Sequence, residues 1–218
     1  MVIYMKNKYR ISLLVIAILL AFSMTVGTSY AYWTKTTVQT GTNEVTAGCL
    51  QIEINDLETD ENDNLVSTSI NLTNAYPISD EKGLQTKPYK LTIKNTCTIK
   101  AKYDIILNVL SASKLTENNM KYHVVKELPT PIIMTPALIS SLEPASLDSS
   151  LISAIGAATS NTVQNSYIIE SGVLEAQTDT TVPAVTYSFR MWIDEATGTE
   201  VMGETFESAI SVYAEATD

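Results

Sequence analysis

Apolar and polar residues alternate with a period of two along much of the chain. In LQIEI, for example, Leu50, Ile52 and Ile54 are apolar and the residues between them are polar. This period places one face of an extended strand against a core and the other face in water. The pattern predicts strands within residues 50–54, 66–72, 89–93, 101–109, 120–124, 187–193 and 206–214. Because such strands cannot bury their apolar faces singly, the sequence predicts an all-β fold, an antiparallel β-sandwich of two packed sheets.

Two segments depart from this alternation. Residues 145–158 place Leu147, Leu151 and Ile155 four residues apart, which favours a short amphipathic helix. The proline-flanked apolar stretch PIIMTPALISSL, at 131–142, is expected to cover an end of the sandwich. The predicted sandwich therefore contains a helix and irregular insertions.

The first 31 residues have the pattern of an export signal. A basic start precedes an uncharged apolar run at 11–26, and the small residues Ser29 and Ala31 follow it. This order predicts a signal peptide at 1–31 that is cut between Ala31 and Tyr32 by a signal peptidase. An uncut anchor is the alternative, although the run is shorter than the roughly 20 residues that span a bilayer comfortably. With cleavage, the protein is secreted and meets the membrane only during export.

Charge narrows the possible partners. Without residues 1–31 the chain keeps 11 basic and 24 acidic residues, a net charge near −13. Such a surface repels phosphate backbones, and the sequence has no lysine or arginine cluster that would offset the repulsion, so no nucleic-acid partner is expected.

Cys49 and Cys97 are the two cysteines of the chain. Export to an oxidising space favours a disulfide between them over two buried free thiols. By chain-entropy reasoning this bridge would contribute roughly 4 kcal/mol to stability.

An acidic loop, NDLETDENDN at 55–64, joins two of the predicted strands. Its carboxylates are weak calcium candidates, at Asp56, Glu58, Asp60 and Asp63. Because the loop lacks the turn glycine and the bidentate glutamate of an EF-hand, a solvated loop is favoured over a metal site. No cofactor is expected.

His123 is the single histidine, in a predicted strand with Lys121 on the same side. A catalytic base or metal ligand needs partners that the sequence does not offer, so we expect a surface or edge position for His123. The sequence also lacks HExxH, G-x-S-x-G and zinc-type cysteine and histidine spacing. We therefore predict no catalytic residue and no enzyme activity.

The leader and the first strand together resemble the TasA and camelysin family of secreted Gram-positive proteins. The resemblance lies in SYA at 29–31, the aromatic residue after it, and TAGCLQIEIND at 46–56, where Cys49 replaces a more usual Thr or Ser. PYKLTIKNTCTIKAKYDIIL, at 88–107, is similar to the family's following strand pair. The resemblance implies a jelly-roll-like sandwich, a SipW-type signal peptide and, as in the fibre-forming members, a biofilm-matrix role.

Residues 32–48 precede the predicted sandwich domain, 49–218, and have strand propensity with a weakly specified register. This segment could pair with its own sheet, or it could add a strand to a neighbouring subunit and so build a filament. The expected function is a structural subunit of the extracellular matrix or cell surface, with itself or related matrix subunits as partners. A monomeric adhesin-like binding module is the alternative, and a camelysin-type metalloprotease is less favoured.

Mass spectrometry of the native exported protein tests both the signal-peptide cleavage and the disulfide. Without reduction, the intact mass should match a chain that begins at Tyr32 and lacks two hydrogen atoms because of the disulfide. A mass that includes residues 1–31 would instead indicate an uncut anchor, and alkylation of two thiols would rule out the bridge.

Overall fold

The computed structural model describes residues 35–38, 45–47, 50–55, 70–72 and 75–217. In chain order, the regular elements of these residues are β1 (Lys35–Val38), β2 (Val45–Ala47), β3 (Leu50–Asn55), β4 (Ile70–Leu72), α1 (Asp80–Gly83), β5 (Tyr89–Asn95), β6 (Lys100–Leu110), β7 (Met120–Glu127), β8 (Ile132–Ile133), β9 (Ala137–Leu138), β10 (Glu143–Pro144), α2 (Ser149–Thr159), β11 (Val163–Leu174), β12 (Ala184–Ile193) and β13 (Phe206–Thr217). Single 3-10 turns follow β9 and β12.

The strands form two sheets. The six-stranded sheet has the order β1-β13-β6-β11-β10, and β4 also pairs with β13. The seven-stranded sheet has the order β2-β3-β5-β12-β7-β8, and β9 also pairs with β7. The strand pairs with an assigned register are antiparallel. The all-β, two-sheet prediction is therefore confirmed.

The core lies between the inner faces of the two sheets, where the period-two apolar residues meet. It includes Leu91 and Ile93 of β5, Ile105 and Leu107 of β6, Phe189 and Ile193 of β12, and Ile210 and Val212 of β13. Residues that alternate with them, such as Thr92 and Arg190, lie on the outer faces. The alternation in the sequence thus marks the inner face of these strands.

A pair of tyrosines joins the sheets inside this core. Tyr103 of β6 and Tyr187 of β12 are buried, and their hydroxyl oxygens lie 2.7 Å apart in a hydrogen bond. Their rings meet edge to face, with centroids 6.4 Å apart. Burial and the hydrogen bond to Tyr103 raise the pKa of Tyr187, so this contact is between neutral hydroxyls.

Gly172 of β11 makes room for this pair. It lies opposite Tyr103 in the β11–β6 ladder. A Cβ atom at Gly172 would lie 2.4 Å from the Tyr103 hydroxyl oxygen, too close for the ring to keep its position.

Helix α2 covers one end of the outer face of the six-stranded sheet. Leu151 and Ile155 are buried against Leu110 of β6 and Ala209 of β13. The helix begins at an Asp148 cap, whose carboxylate accepts a hydrogen bond from the Leu151 amide. The predicted helix is therefore confirmed; it begins at Ser149, within the predicted stretch 145–158, and ends at Thr159.

Asn95 fixes the corner at which the chain passes from β5 to β6. Its side-chain amide donates to the carbonyl oxygens of Ile99 and Glu175, both at 2.8 Å, and its side-chain oxygen accepts from the Cys97 amide. Cys97 is buried and disulfide-bonded. Cys49 lies outside the described residues, so its pairing with Cys97 stays a prediction.

Three parts of the fold differ from the sequence-based expectations. Strand β11 was not predicted, because bulges at Val163/Asn165 and Ile168/Glu170 interrupt its alternation. The stretch 131–142 runs along a lateral edge of the sandwich, where β8 and β9 pair with β7, instead of covering an end. The predicted strand at 66–72 is described only for Ile70–Leu72.

Replacing Gly172 tests the tyrosine pair. We expect Gly172→Ala to lower the free energy of unfolding by about 1–3 kcal/mol, because the new methyl group displaces the Tyr103 ring. Urea unfolding at constant m-value measures the change. The neighbouring exposed Val173→Ala is the control and should change stability by less than about 0.5 kcal/mol. Equal effects of both substitutions would contradict the assigned role of Gly172.

Candidate functional site

A segment between β4 and β5 crosses the outer face of the seven-stranded sheet. We call residues 75–88 the strap; it contains the single-turn helix α1. A Cβ atom at Gly83 would lie 2.3 Å from ring atoms of Trp192, so the indole packs directly against the strap backbone. Trp192 projects from the outer face of β12 and is nevertheless buried. The strap therefore covers the outer face of the sheet around Trp192.

Lys121 and Arg190 attach the strap to the sheet. The Lys121 ammonium lies 2.8 Å from an Asp80 carboxylate oxygen in the strap and 3.2 Å from an Asp194 carboxylate oxygen at the end of β12. The hydrogen bond to Asp80 raises the pKa of Lys121, so the ammonium stays charged. Arg190 Nε donates to the Thr86 carbonyl oxygen at 2.9 Å. Both ends of the strap thus have a polar attachment.

His123 lies on this same outer face and corrects one prediction. It is 4% exposed, whereas the sequence led us to expect a surface or edge position. The imidazole forms a hydrogen bond with the backbone of Met134, the residue after β8. Burial, and then the Arg190 charge, lower the pKa of His123, and the Met134 bond opposes part of this effect. The imidazole is therefore neutral near pH 7.

Two buried polar atoms in the described part of the chain have no hydrogen-bond partner, His123 Nδ1 and Trp192 Nε1. His123 is opposite Arg190 in the β7–β12 ladder and Trp192 is opposite Lys121, so the two residues are diagonal neighbours on one face. The indole N–H is a donor, and Nδ1 of a neutral imidazole that donates to Met134 is an acceptor. One atom of the pair is thus a donor and the other is an acceptor.

Two charged residues, Glu170 of β11 and Lys126 of β7, lie near each other at one lateral side of the sandwich. Burial raises the pKa of the Glu170 carboxyl, and the positive charge of Lys126 opposes part of that rise. The Lys126 ammonium also lies 5.7 Å from the centre of the Tyr187 ring. This group shows that β11 and β7 face each other at one lateral side of the sandwich.

At the opposite lateral side, the N-terminal segment supplies the edge of each sheet. Strand β1 neighbours β13 in the six-stranded sheet, and β2 pairs with β3 in the seven-stranded sheet, with Val45 opposite Ile52. In the single chain the segment thus pairs with its own sheets, which is one of the two arrangements that the sequence allows.

The other predicted site residues lie outside the described residues. These are the calcium candidates Asp56, Glu58, Asp60 and Asp63, and the cleavage pair Ala31 and Tyr32. Within the described ranges, no group of three or more histidine, cysteine, aspartate or glutamate side chains is arranged to hold a metal ion. No helix in those ranges is long and apolar enough to cross a membrane.

A comparison with family models, curated proteins and solved structures finds no match for this chain.

The burial of His123 predicts a specific pH dependence of stability. The pKa of His123 in the folded protein is below the unfolded value of about 6.5, so the unfolded state binds more protons as the pH falls through this range. The stabilising contribution of neutral His123 is complete above about pH 6.5 and is lost as the pH falls toward the folded pKa.

We therefore expect the difference in unfolding free energy between the wild type and His123→Gln to change in favour of the variant between about pH 7 and about pH 5. Urea unfolding of both proteins across this range measures it. Because His123 is the single histidine and the variant keeps every carboxylate, other titrations cancel in the difference. A difference that does not change with pH would contradict a buried neutral imidazole.

Proposed function

We propose that the chain is an exported structural subunit of the extracellular matrix or cell surface, which assembles by donating its N-terminal segment, 32–48, to a neighbouring copy. One observation carries the proposal. The segment supplies the edge strands β1 and β2 of the two sheets on the same lateral side of the sandwich. A donor of this kind can complete two sheets of a neighbour at once.

Main-chain pairing makes the exchange physically reasonable. Strands β1 and β2 contain four and three residues, so few hydrogen bonds hold the segment to its own sheets. The same bonds form equally well on the vacated edges of an identical neighbour, because backbone pairing does not depend on side-chain identity. Donation from each copy to the next does not close on itself, and the product is a filament.

The proposal also includes a jelly-roll-like topology and secretion of the chain. The chain changes sheets at most connections after β3, so consecutive strands mostly face each other across the core, as in a jelly roll. The disulfide at Cys97 fits an oxidising compartment, and the basic, apolar and small-residue order of 1–31 fits a cleaved signal peptide. Both support a secreted jelly-roll-like subunit related to the fibre-forming matrix proteins that the sequence resembles.

Proline substitutions in β1 and β2 test the exchange. The double variant Thr37→Pro/Thr46→Pro lacks one main-chain donor in each strand, so we expect it to form no fibres under conditions in which the wild-type exported chain does. Electron microscopy of both proteins is the measurement. The matched control, Thr37→Val/Thr46→Val, keeps both donors and high strand propensity and should form fibres.

Near-ultraviolet circular dichroism and urea unfolding of the proline variant check whether it keeps its sandwich. Fibres from a folded proline variant would contradict the donation mechanism. A wild type that stays monomeric and captures glycans or matrix proteins would contradict the structural role and favour a monomeric binding module.

A further inference from the structure

Strand β8 exposes two large apolar residues on the edge of the seven-stranded sheet. Ile132 is 54% exposed and Ile133 is 68% exposed. Ile133 is the most exposed large hydrophobic residue in the described part of the chain. Single exposed apolar residues are common, but two consecutive isoleucines on an edge strand are typical of a contact surface.

The main-chain N–H and C=O groups of Ile133 point away from its own sheet. In the β7–β8 ladder Val125 is opposite Ile133, and the Met134 amide donates to the Val124 carbonyl oxygen at 3.1 Å. Hydrogen-bonded and non-bonded pairs alternate in an antiparallel ladder, so the 125/133 pair is a non-bonded one. The N–H and C=O groups of Ile133 therefore face outward, where no strand in the described part of the chain pairs with β8.

This edge also lacks charge. Residues 128–142 contain no aspartate, glutamate, lysine or arginine, although the whole chain has a net charge of −10. Two copies of an acidic protein repel each other over most of their surfaces. They can approach along this edge without bringing like charges together. Exposed edges that stay unpaired usually carry lysine or another charge, and β8 carries none.

We propose that β8 is a docking edge for β8 of a second copy of this chain. A strand that pairs antiparallel with a copy of itself lies on a two-fold axis, so the contact is self-complementary and closes as a dimer. Ile133 of each copy faces Ile133 of the other, and their outward N–H and C=O groups form the central hydrogen-bonded pair. The two seven-stranded sheets become continuous through the dimer.

Prolines limit the length of this pairing. Pro131 and Pro136 flank the strand, and a proline cannot donate a main-chain hydrogen bond. Pairing that extends from Ile133 in either direction therefore meets a residue without an N–H group. The result is one short, defined contact instead of open-ended sheet growth.

The docking edge lies on the opposite lateral side of the sandwich from β1 and β2. Dimerisation through β8 therefore does not require donation of the N-terminal segment.

Analytical ultracentrifugation of the full exported chain tests the dimer. We expect a monomer–dimer equilibrium whose dissociation constant rises about tenfold or more in Ile133→Lys, because the substitution removes apolar contact and places two ammonium groups opposite each other. The matched control is Val173→Lys, since Val173 is 55% exposed on β11, outside β8. The control should leave the dissociation constant unchanged, and urea unfolding of both variants should match that of the wild type.

A cross-link tests the geometry separately. Ile133→Cys should form a disulfide-linked dimer on mild oxidation, whereas Ile152→Cys, at an exposed position of α2, should not. The proposal is overturned if the wild type is monomeric at every concentration, if the two lysine variants weaken the dimer equally, or if the two cysteine variants cross-link equally. Absence of fibres with a dimer that depends on Ile133 would count against N-terminal donation and would leave the β8 contact intact.

Discussion

The structure depends on one constraint: each sheet has an apolar inner face that only the other sheet can cover. The apolar positions of β5, β6, β12 and β13 meet in a single core. Within this core the hydroxyls of Tyr103 and Tyr187 pair with each other, so two polar atoms are buried without loss of hydrogen bonding. Gly172 permits the contact because it has no side chain to compete for the space of the Tyr103 ring.

The outer face of the seven-stranded sheet is partly covered by other segments of the chain. The strap covers part of the seven-stranded sheet and packs on Trp192, and the backbone of Met134 contacts the neighbouring His123. Trp192 Nε1 and His123 Nδ1 are buried without a hydrogen-bond partner. This arrangement removes the single histidine from solvent and surrounds it with one cation, Arg190, and no acidic partner that shifts its pKa. Such surroundings favour a structural role for His123, in keeping with a protein whose proposed work is assembly.

Both proposed modes of assembly use the edge strands of the sheets. Both lateral sides of the sandwich end in very short strands, β1 and β2 on one side and β8 and β10 on the other. Because a short edge strand has few bonds to its own sheet, it can be replaced or extended by main-chain pairing with another copy. The acidic surface opposes non-specific association, and the two proposed contacts use segments that carry little charge.

The sequence by itself determined the fold class, six of the long strands and helix α2, because alternation and helical spacing are local patterns that a buried face imposes on nearby residues. It did not reveal β11, whose bulges interrupt the alternation, or β8, β9 and β10, which are too short to show a period. For the site, it placed His123 and Lys121 on one side of a strand but could not show what covers them. Only the tertiary structure decided that His123 is buried and that Lys121 is paired, because their contacts come from Met134 and from Asp80 of the strap, which are not their neighbours in the chain. Burial of a single side chain depends on those long-range contacts, and no local pattern encodes them.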